Sequence, residues 1–416
     1  MKYVLVIGDG MADAKLTQLG GKTPLETLEL NAFDRAAGCE YGRVRTVPEG
    51  LPPGSDTAIL SIFGNDPRTC YTGRSALEAA GMGIEVPQDG ISLRINLCAV
   101  EEKNGKLTIL SHNGGGIHGR DAETLMRDLT ADATAFAHKA SEYKLVIHPT
   151  DTFRHIGIME AGNFDLASLR LTEPHNILGR ETSEYLPQCA ADDPAVRRLC
   201  GGLGELMMIS YKALKDHPVN RARREQGLPP ANMIWPWGAA TAMKLDSFAK
   251  KYHKTGTVVS AVPLVWGIAS LAGLKTPRVK GASGELNTNY RGKVDAALKA
   301  LDGGDDFAAV HIEAPDEMAH AGDLDKKMQA IQNVNDLVMR PLLDALKERG
   351  EDYRVLIMCD HPTLLTTRTH DASPVPYAIF DSRKPAPPRK YSESGAMDMP
   401  LLEDGSKLLE RLFTHD

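Results

Sequence analysis

Four short apolar runs, each closed by a turn signal, constrain this chain more than any other feature. Tyr3–Ile7 is continuous, rich in β-branched residues, and ended by Gly8-Asp9-Gly10. A strand buried on both faces of a parallel sheet reads this way, because neither face meets water. Comparable runs recur at Thr257–Val262, Phe307–Ile312 and Arg354–Met358, with helical patterns between them. Alternating strand and helix specifies a doubly wound, mostly parallel α/β core. In such sheets ligands gather at the carboxyl ends of the strands. Three of the four runs lead into acidic or histidine-bearing loops: Asp9, Asp316 with His320, and Asp360 with His361.

The chain of 416 residues is long for one domain, and its middle has a different texture. From about Ser75 to Tyr252 it carries the Gly-rich stretch Gly114–Gly119, histidine-bearing turns and the polar segment Asp192–Arg198, before sheet-like runs resume. This pattern predicts a discontinuous core, 1–74 with 253–416, and an inserted α/β domain over 75–252. With 42% hydrophobic and 25% charged residues the chain is neither disordered nor fibrous. Its 48 basic and 55 acidic residues give a net charge of −7, without the basic face that a nucleic-acid partner requires. Six cysteines (39, 70, 98, 189, 200, 359) stand apart, as reduced thiols do in the cytoplasm, and none forms C-x-x-C. The first apolar run stops at Gly8, too early for a secretory signal, and no stretch approaches the ~18 apolar residues of a membrane span. The expectation is a cytoplasmic protein with no membrane partner. No apolar surface stripe indicates an oligomer.

Asp316-Glu-Met-Ala-His320 places a carboxylate and an imidazole at i and i+4, on one face if the segment is helical. That pair suits Mn²⁺, Zn²⁺ or Fe²⁺ and equally describes a surface Asp–His contact. Cys359-Asp360-His361-Pro362-Thr363 follows a buried run directly, with Arg368-Thr369-His370 shortly after. Adjacent Asp and His reach neighbouring ions more easily than one small ion. Together with Asp9, these residues form a set of hard and borderline ligands at strand ends, and two metals about 4 Å apart are the usual clamp for phosphoryl transfer. Ser55, after the rigid turn Pro52-Pro53-Gly54, opens an apolar helical pattern. It fits either a helix N-cap or a nucleophile stabilised by a metal and the helix amides. Gly20-Gly21-Lys22-Thr23 lacks the first glycine of a phosphate loop, since position 16 is Leu. Gly114–Gly119 matches G-x-G-x-x-G without the acidic residue that a dinucleotide site needs.

In sequence order, Gly8-Asp9-Gly10, Pro53-Gly54-Ser55-Asp56, Tyr71-Thr-Gly-Arg74, Asp316-x-x-x-His320, Asp360-His361 and Arg368-Thr-His370 resemble the archaeal-type cofactor-independent (2,3-bisphosphoglycerate-independent) phosphoglycerate mutases of the alkaline phosphatase superfamily. The resemblance implies an alkaline-phosphatase-like sheet with an inserted substrate-binding domain. It implies one divalent metal on Asp316, His320 and His370, and a second on Asp9, Ser55, Asp360 and His361, with Mn²⁺, Zn²⁺ or Mg²⁺ as the ions. Ser55 would take the phosphoryl group of 3-phosphoglycerate and return it as 2-phosphoglycerate, with no 2,3-bisphosphoglycerate. The insert would supply cations for this small phosphorylated metabolite: Arg94, Arg154 and, from His217-Pro-Val-Asn-Arg-Ala-Arg-Arg224, Arg221, Arg223 or Arg224. That last cluster fits a solvated basic helix face equally well.

Some details match a bacterial branch of the family better: Leu77-Glu-Ala-Ala-Gly-Met82, Pro230-Ala-Asn-Met-Ile-Trp235 and Asp360-His-Pro-Thr363. Members of that branch have also been proposed as homoserine kinases, so the resemblance carries phosphotransfer to homoserine as an alternative. Trp266 stands where relatives often carry Lys.

Overall fold

The computed structural model describes residues 1–160, 166–190 and 193–414. They form two compact units, one of residues 1–71 and 244–416, the other of 72–243. The strands that build the two sheets are, in chain order, β1 (Lys2–Gly8), β2 (Glu40–Val44), β3 (Gly90–Lys103), β4 (Lys106–Ser111), β5 (Leu145–His148), β6 (Arg154–Glu160), β7 (Met233–Thr241), β8 (Gly256–Val259), β9 (Phe307–Ile312), β10 (Tyr353–Met358), β11 (Val375–Asp381) and β12 (Leu401–Leu402).

The first unit holds a seven-stranded sheet in the order β8-β9-β1-β10-β11-β2-β12. β8, β9, β1 and β10 run parallel, and β11 is antiparallel to both of its neighbours. Every residue of β9 and β10 is buried, which is why these runs are apolar without alternation. Because β9, β1 and β10 are adjacent and parallel, the loops after Ile312, Gly8 and Met358 leave the same edge of the sheet side by side. The run expected over 257–262 is strand only as far as Val259. Pro263 opens a helix, and the Val262 amide donates to the Ser260 hydroxyl at 3.0 Å. Lys244–Tyr252, expected in the insert, belongs to this first unit, and Thr72–Arg74, expected in the core, to the second. Phe248 stacks on Phe307 with ring centroids 5.2 Å apart, and Tyr252 packs edge-on against Phe413. Aromatic contacts of this kind fasten the segment to the first unit.

The second unit is an antiparallel sheet around the long strand β3, which pairs with β6 and β7 along its first half and with β4 beyond Ala99. The helix Pro194–Leu214 covers it, and its apolar positions face Leu93, Ile95 and Leu97 in one buried cluster. Asp193 caps that helix. Asp192, in the polar segment singled out from the sequence, lies outside the described residues. Gly114–Gly119 does lie between a strand and the helix Arg120–Thr130, but β4 is antiparallel, and Arg223 donates to the Gly114 and Gly115 carbonyls at 2.7 and 3.2 Å. The loop is a turn held by an arginine.

Candidate active site

Asp316 and His320 lie on the short helix Ala314–Ala321 that follows β9, with His320 Nε2 3.3 Å from Asp316 Oδ2. His370 arrives from a two-residue strand paired with Thr363–Leu364, and its Nε2 is 3.4 Å from Asp316 Oδ1 and 2.9 Å from His320 Nε2. Two imidazole nitrogens and a carboxylate thus face one point. The second group joins the ends of β1 and β10: Asp9, Asp360 and His361, each at most 2% exposed. In both triads the candidate ligand atoms lie within 4.8 Å of one another. Gly10 and His361 both donate backbone N–H bonds to Asp360 Oδ1, at 3.1 and 2.9 Å, tying the two loops together.

Ser55 lies beside the second triad. Gly54 occupies the cap of the helix Ser55–Ile62, so Ser55 is the first helical residue and its hydroxyl is not used for capping. Ser55 Oγ instead lies 3.1 Å from His361 Nε2 and 3.4 Å from Asp9 Oδ2. Of the two uses open from the sequence, the N-cap is excluded by this geometry.

The electrostatics mark a place built for positive charge. Asp9 Oδ1 and Asp360 Oδ2 are buried without a hydrogen-bond partner, a costly arrangement for two carboxylates. Burial, followed by the charges of Asp360 and Asp316, pushes the Asp9 carboxyl well above the usual range. Asp316 goes the other way. Burial opposes its charge, but hydrogen bonds with His320 and His370 hold it well below. The Asp316 contact in turn lifts His320 to about 9. Both donor sets, carboxylate with imidazole, fit a divalent ion of Mn²⁺ or Zn²⁺ type.

Several supporting residues were not legible beforehand. His311, buried in β9, bridges Ser260 Oγ at 3.1 Å and Asp9 Oδ2 at 3.0 Å, and burial pulls it down to about 4. A lone histidine inside an apolar strand was the available signal. Lys327, fully buried, donates to Asp13 Oδ2 at 2.7 Å and to the Thr363 and Ala12 carbonyls. In sequence it is one lysine of an ordinary helix. Trp266, singled out in the sequence, donates to the Ser260 carbonyl and carries the Arg278 guanidinium 3.1 Å above its ring.

The insert arginines divide. Arg94 is 5% exposed, paired with Glu78 at 3.0 Å, and stacked 4.1 Å from the Trp237 ring. Arg154 lies near enough for its charge to act on both Arg94 and Glu78. Arg221 and Arg224 are on the exposed side of the helix Pro218–Glu225, where Arg224 donates to the Lys215 carbonyl. Buried Arg223 is committed to backbone carbonyls. Of the arginines expected from the sequence, Arg94 and Arg154 are brought together in one charged cluster, which also holds Arg74 and Glu78.

Residues 36–220 match the family described as 2,3-bisphosphoglycerate-independent phosphoglycerate mutase. A probable 2,3-bisphosphoglycerate-independent phosphoglycerate mutase of Geobacter sulfurreducens is 39% identical, with 99% of each chain covered. The corresponding enzyme of Methanosarcina barkeri is 39% identical over 92% of this chain and 91% of its own. Among solved structures, a Pyrococcus horikoshii protein superposes with a TM-score of 0.77 at 25% identity, covering 100% of this chain and 98% of its own. A cofactor-independent phosphoglycerate mutase from Thermoplasma acidophilum shares the fold, with a TM-score of 0.62 at 22% identity and 99% of both chains covered. Full-length similarity at this level shows that the chain belongs to the family of 2,3-bisphosphoglycerate-independent phosphoglycerate mutases.

Proposed function

We propose that this chain interconverts 3-phosphoglycerate and 2-phosphoglycerate through a phosphoserine on Ser55, without 2,3-bisphosphoglycerate, and that it works in the cytoplasm. The observation that carries the reading is the Ser55 hydroxyl, uncapped at a helix N-terminus and within 3.4 Å of both Asp9 and His361. The activity named for the Geobacter and Methanosarcina relatives supports it.

In this reading Asp316, His320 and His370 hold one divalent ion, and Asp9, Ser55, Asp360 and His361 hold the other. Bound there, Mn²⁺, or else Zn²⁺ or Mg²⁺, would neutralise charge on the phosphoryl oxygens and lower the pKa of the reacting hydroxyls. Ser55 Oγ forms the new bond to phosphorus as the bond between phosphorus and the C3 oxygen of the substrate breaks. The Ser55 proton leaves on the side of Asp9 Oδ2, its hydrogen-bond acceptor in the structure. The helix Ser55–Ile62 directs its positive end at the group being transferred. The proton given up by Ser55 passes to the departing C3 oxygen. The C2 hydroxyl oxygen of glycerate then forms the new bond to phosphorus as the P–Oγ bond breaks, and the C2 hydroxyl proton returns to Ser55. Arg94 and Arg154 offer guanidinium groups suited to a carboxylate or phosphate.

Phosphorus NMR of the Mn²⁺-loaded protein with 3-phosphoglycerate, without ATP or bisphosphoglycerate, tests the proposal. A 2-phosphoglycerate signal that vanishes with EDTA and in Ser55→Ala is the expected result. Release of inorganic phosphate alone, or no turnover, overturns it and makes homoserine with ATP the next pair to assay.

A further inference from the structure

Thr363 touches both triads. It is fully buried, and its Oγ1 lies 2.5 Å from Asp316 Oδ1 and 3.3 Å from His361 Nδ1. Its backbone pairs with His370 across the short hairpin. The backbone is itself held from two sides: the Thr363 amide donates to Ala12 O at 3.2 Å, and Lys327 Nζ donates to Thr363 O at 2.6 Å. Gly10 leaves the space that this arrangement needs, since a Cβ there would stand 2.6 Å from Thr363 Oγ1 and 2.8 Å from Asp316 Oδ1.

A threonine hydroxyl has one proton and two lone pairs. The carboxylate of Asp316 can only accept, so the single Oγ1 proton points to Asp316. The contact with His361 then runs the other way, with His361 Nδ1–H donating to Oγ1. That places the His361 proton on Nδ1 and leaves Nε2 as a bare lone pair. Nε2 is the nitrogen that faces the triad, 3.1 Å from Ser55 Oγ and 3.2 Å from Asp360 Oδ2.

We propose that Thr363 is a positioning residue shared by the two metal sites: one hydroxyl selects the His361 tautomer that can ligate an ion and orients the Asp316 carboxylate of the other site. The inference rests on the two-metal reading above. Partners of this kind typically change metal affinity by about 10- to 100-fold when removed.

The test compares Thr363→Val, which keeps the shape, with Thr363→Ser, which keeps the hydroxyl. Mn²⁺ binding is followed by the electron paramagnetic resonance of free ion, and the His361 tautomer by ¹⁵N-histidine NMR of the metal-free protein. Thr363→Val is expected to weaken both Mn²⁺ sites by about 10- to 100-fold and Thr363→Ser by no more than about threefold. Wild type and Thr363→Ser should show His361 protonated at Nδ1, and Thr363→Val should show a mixture. Unchanged Mn²⁺ affinity at both sites in Thr363→Val, or an Nε2–H tautomer in wild type, overturns the proposal. If Thr363→Val fails to fold, the wild-type tautomer and the Thr363→Ser titration decide. A wild type that binds no Mn²⁺ refutes the two-metal reading separately, while the tautomer measurement still judges Thr363.

Discussion

Replacing Lys327 with methionine tests whether one buried ion pair fastens the loops that carry the site. Lys327 Nζ and Asp13 Oδ2 are 2.7 Å apart, and both side chains are 0% exposed. At an effective dielectric of about 20, charges at that separation attract by about 6 kcal/mol, most of it offset by the desolvation of both groups. The pair therefore contributes little net stability against an apolar pair, but removing one partner leaves the desolvation of the other uncompensated. Methionine fills the space and strands Asp13, which among the described residues keeps only the Ala14 and Leu365 amides. The expected loss is about 3–5 kcal/mol, which for a unit of this size lowers the melting temperature by roughly 6–20 °C. Asp13→Asn in the Lys327→Met background removes the stranded charge and should recover about 2–3 kcal/mol. Urea unfolding and calorimetry of the four proteins close the cycle. A Lys327→Met loss below about 1 kcal/mol, or no recovery in the double variant, would refute the argument.

Gly10→Ala should destabilise the first unit by at least about 2 kcal/mol and reduce bound Mn²⁺ measured by mass spectrometry, because φ is +62° and the methyl meets Thr363 and Asp316. His155 gives the second unit a pH dependence. Burial pulls it down to about 4, and the Thr150 amide already donates to its Nδ1 at 3.0 Å. The unfolded chain, with a value near 6.5, binds the proton more readily, so this contribution is complete above about pH 6.5 and lost as pH falls toward 4. It amounts to at most about 3 kcal/mol, and unfolding followed by Trp235 and Trp237 fluorescence at pH 7 and 4.5 should show a slope that His155→Asn flattens. Arg94→Lys should raise KM for phosphoglycerate by about tenfold with little change in kcat, since lysine loses the bidentate fork. An unchanged KM alongside lower stability would assign Arg94 to its Glu78 pair alone.

The residues of the two triads were legible because buried parallel strands leave so clear a trace. Tyr3–Ile7, Phe307–Ile312 and Arg354–Met358 read as strands because neither face meets solvent, and the residues just past their ends, Asp9, Asp316 and Asp360, followed from where such sheets hold ligands. The helical spacing of Asp316 and His320 was equally local. The arginines were not legible in the same way. Arg94 and Arg223 are both buried, one against a carboxylate and an indole, the other against carbonyls, and composition around them does not separate the two fates.

What the sequence determined by itself was the set of strands, their turn-closed ends and the chemical types placed there, since these depend on neighbours within a few residues. Only the tertiary structure decided that β9, β1 and β10 lie side by side, which turns three separate loops into two facing triads. It also decided that Ser55 points inward instead of capping its helix, that His311 leans on Asp9, that Lys327 donates to the Thr363 carbonyl and that Thr363 donates to Asp316. Each of these contacts joins residues tens to hundreds of positions apart. Whether a hydroxyl caps a helix or faces a carboxylate is set by the groups that the sheet order brings against it.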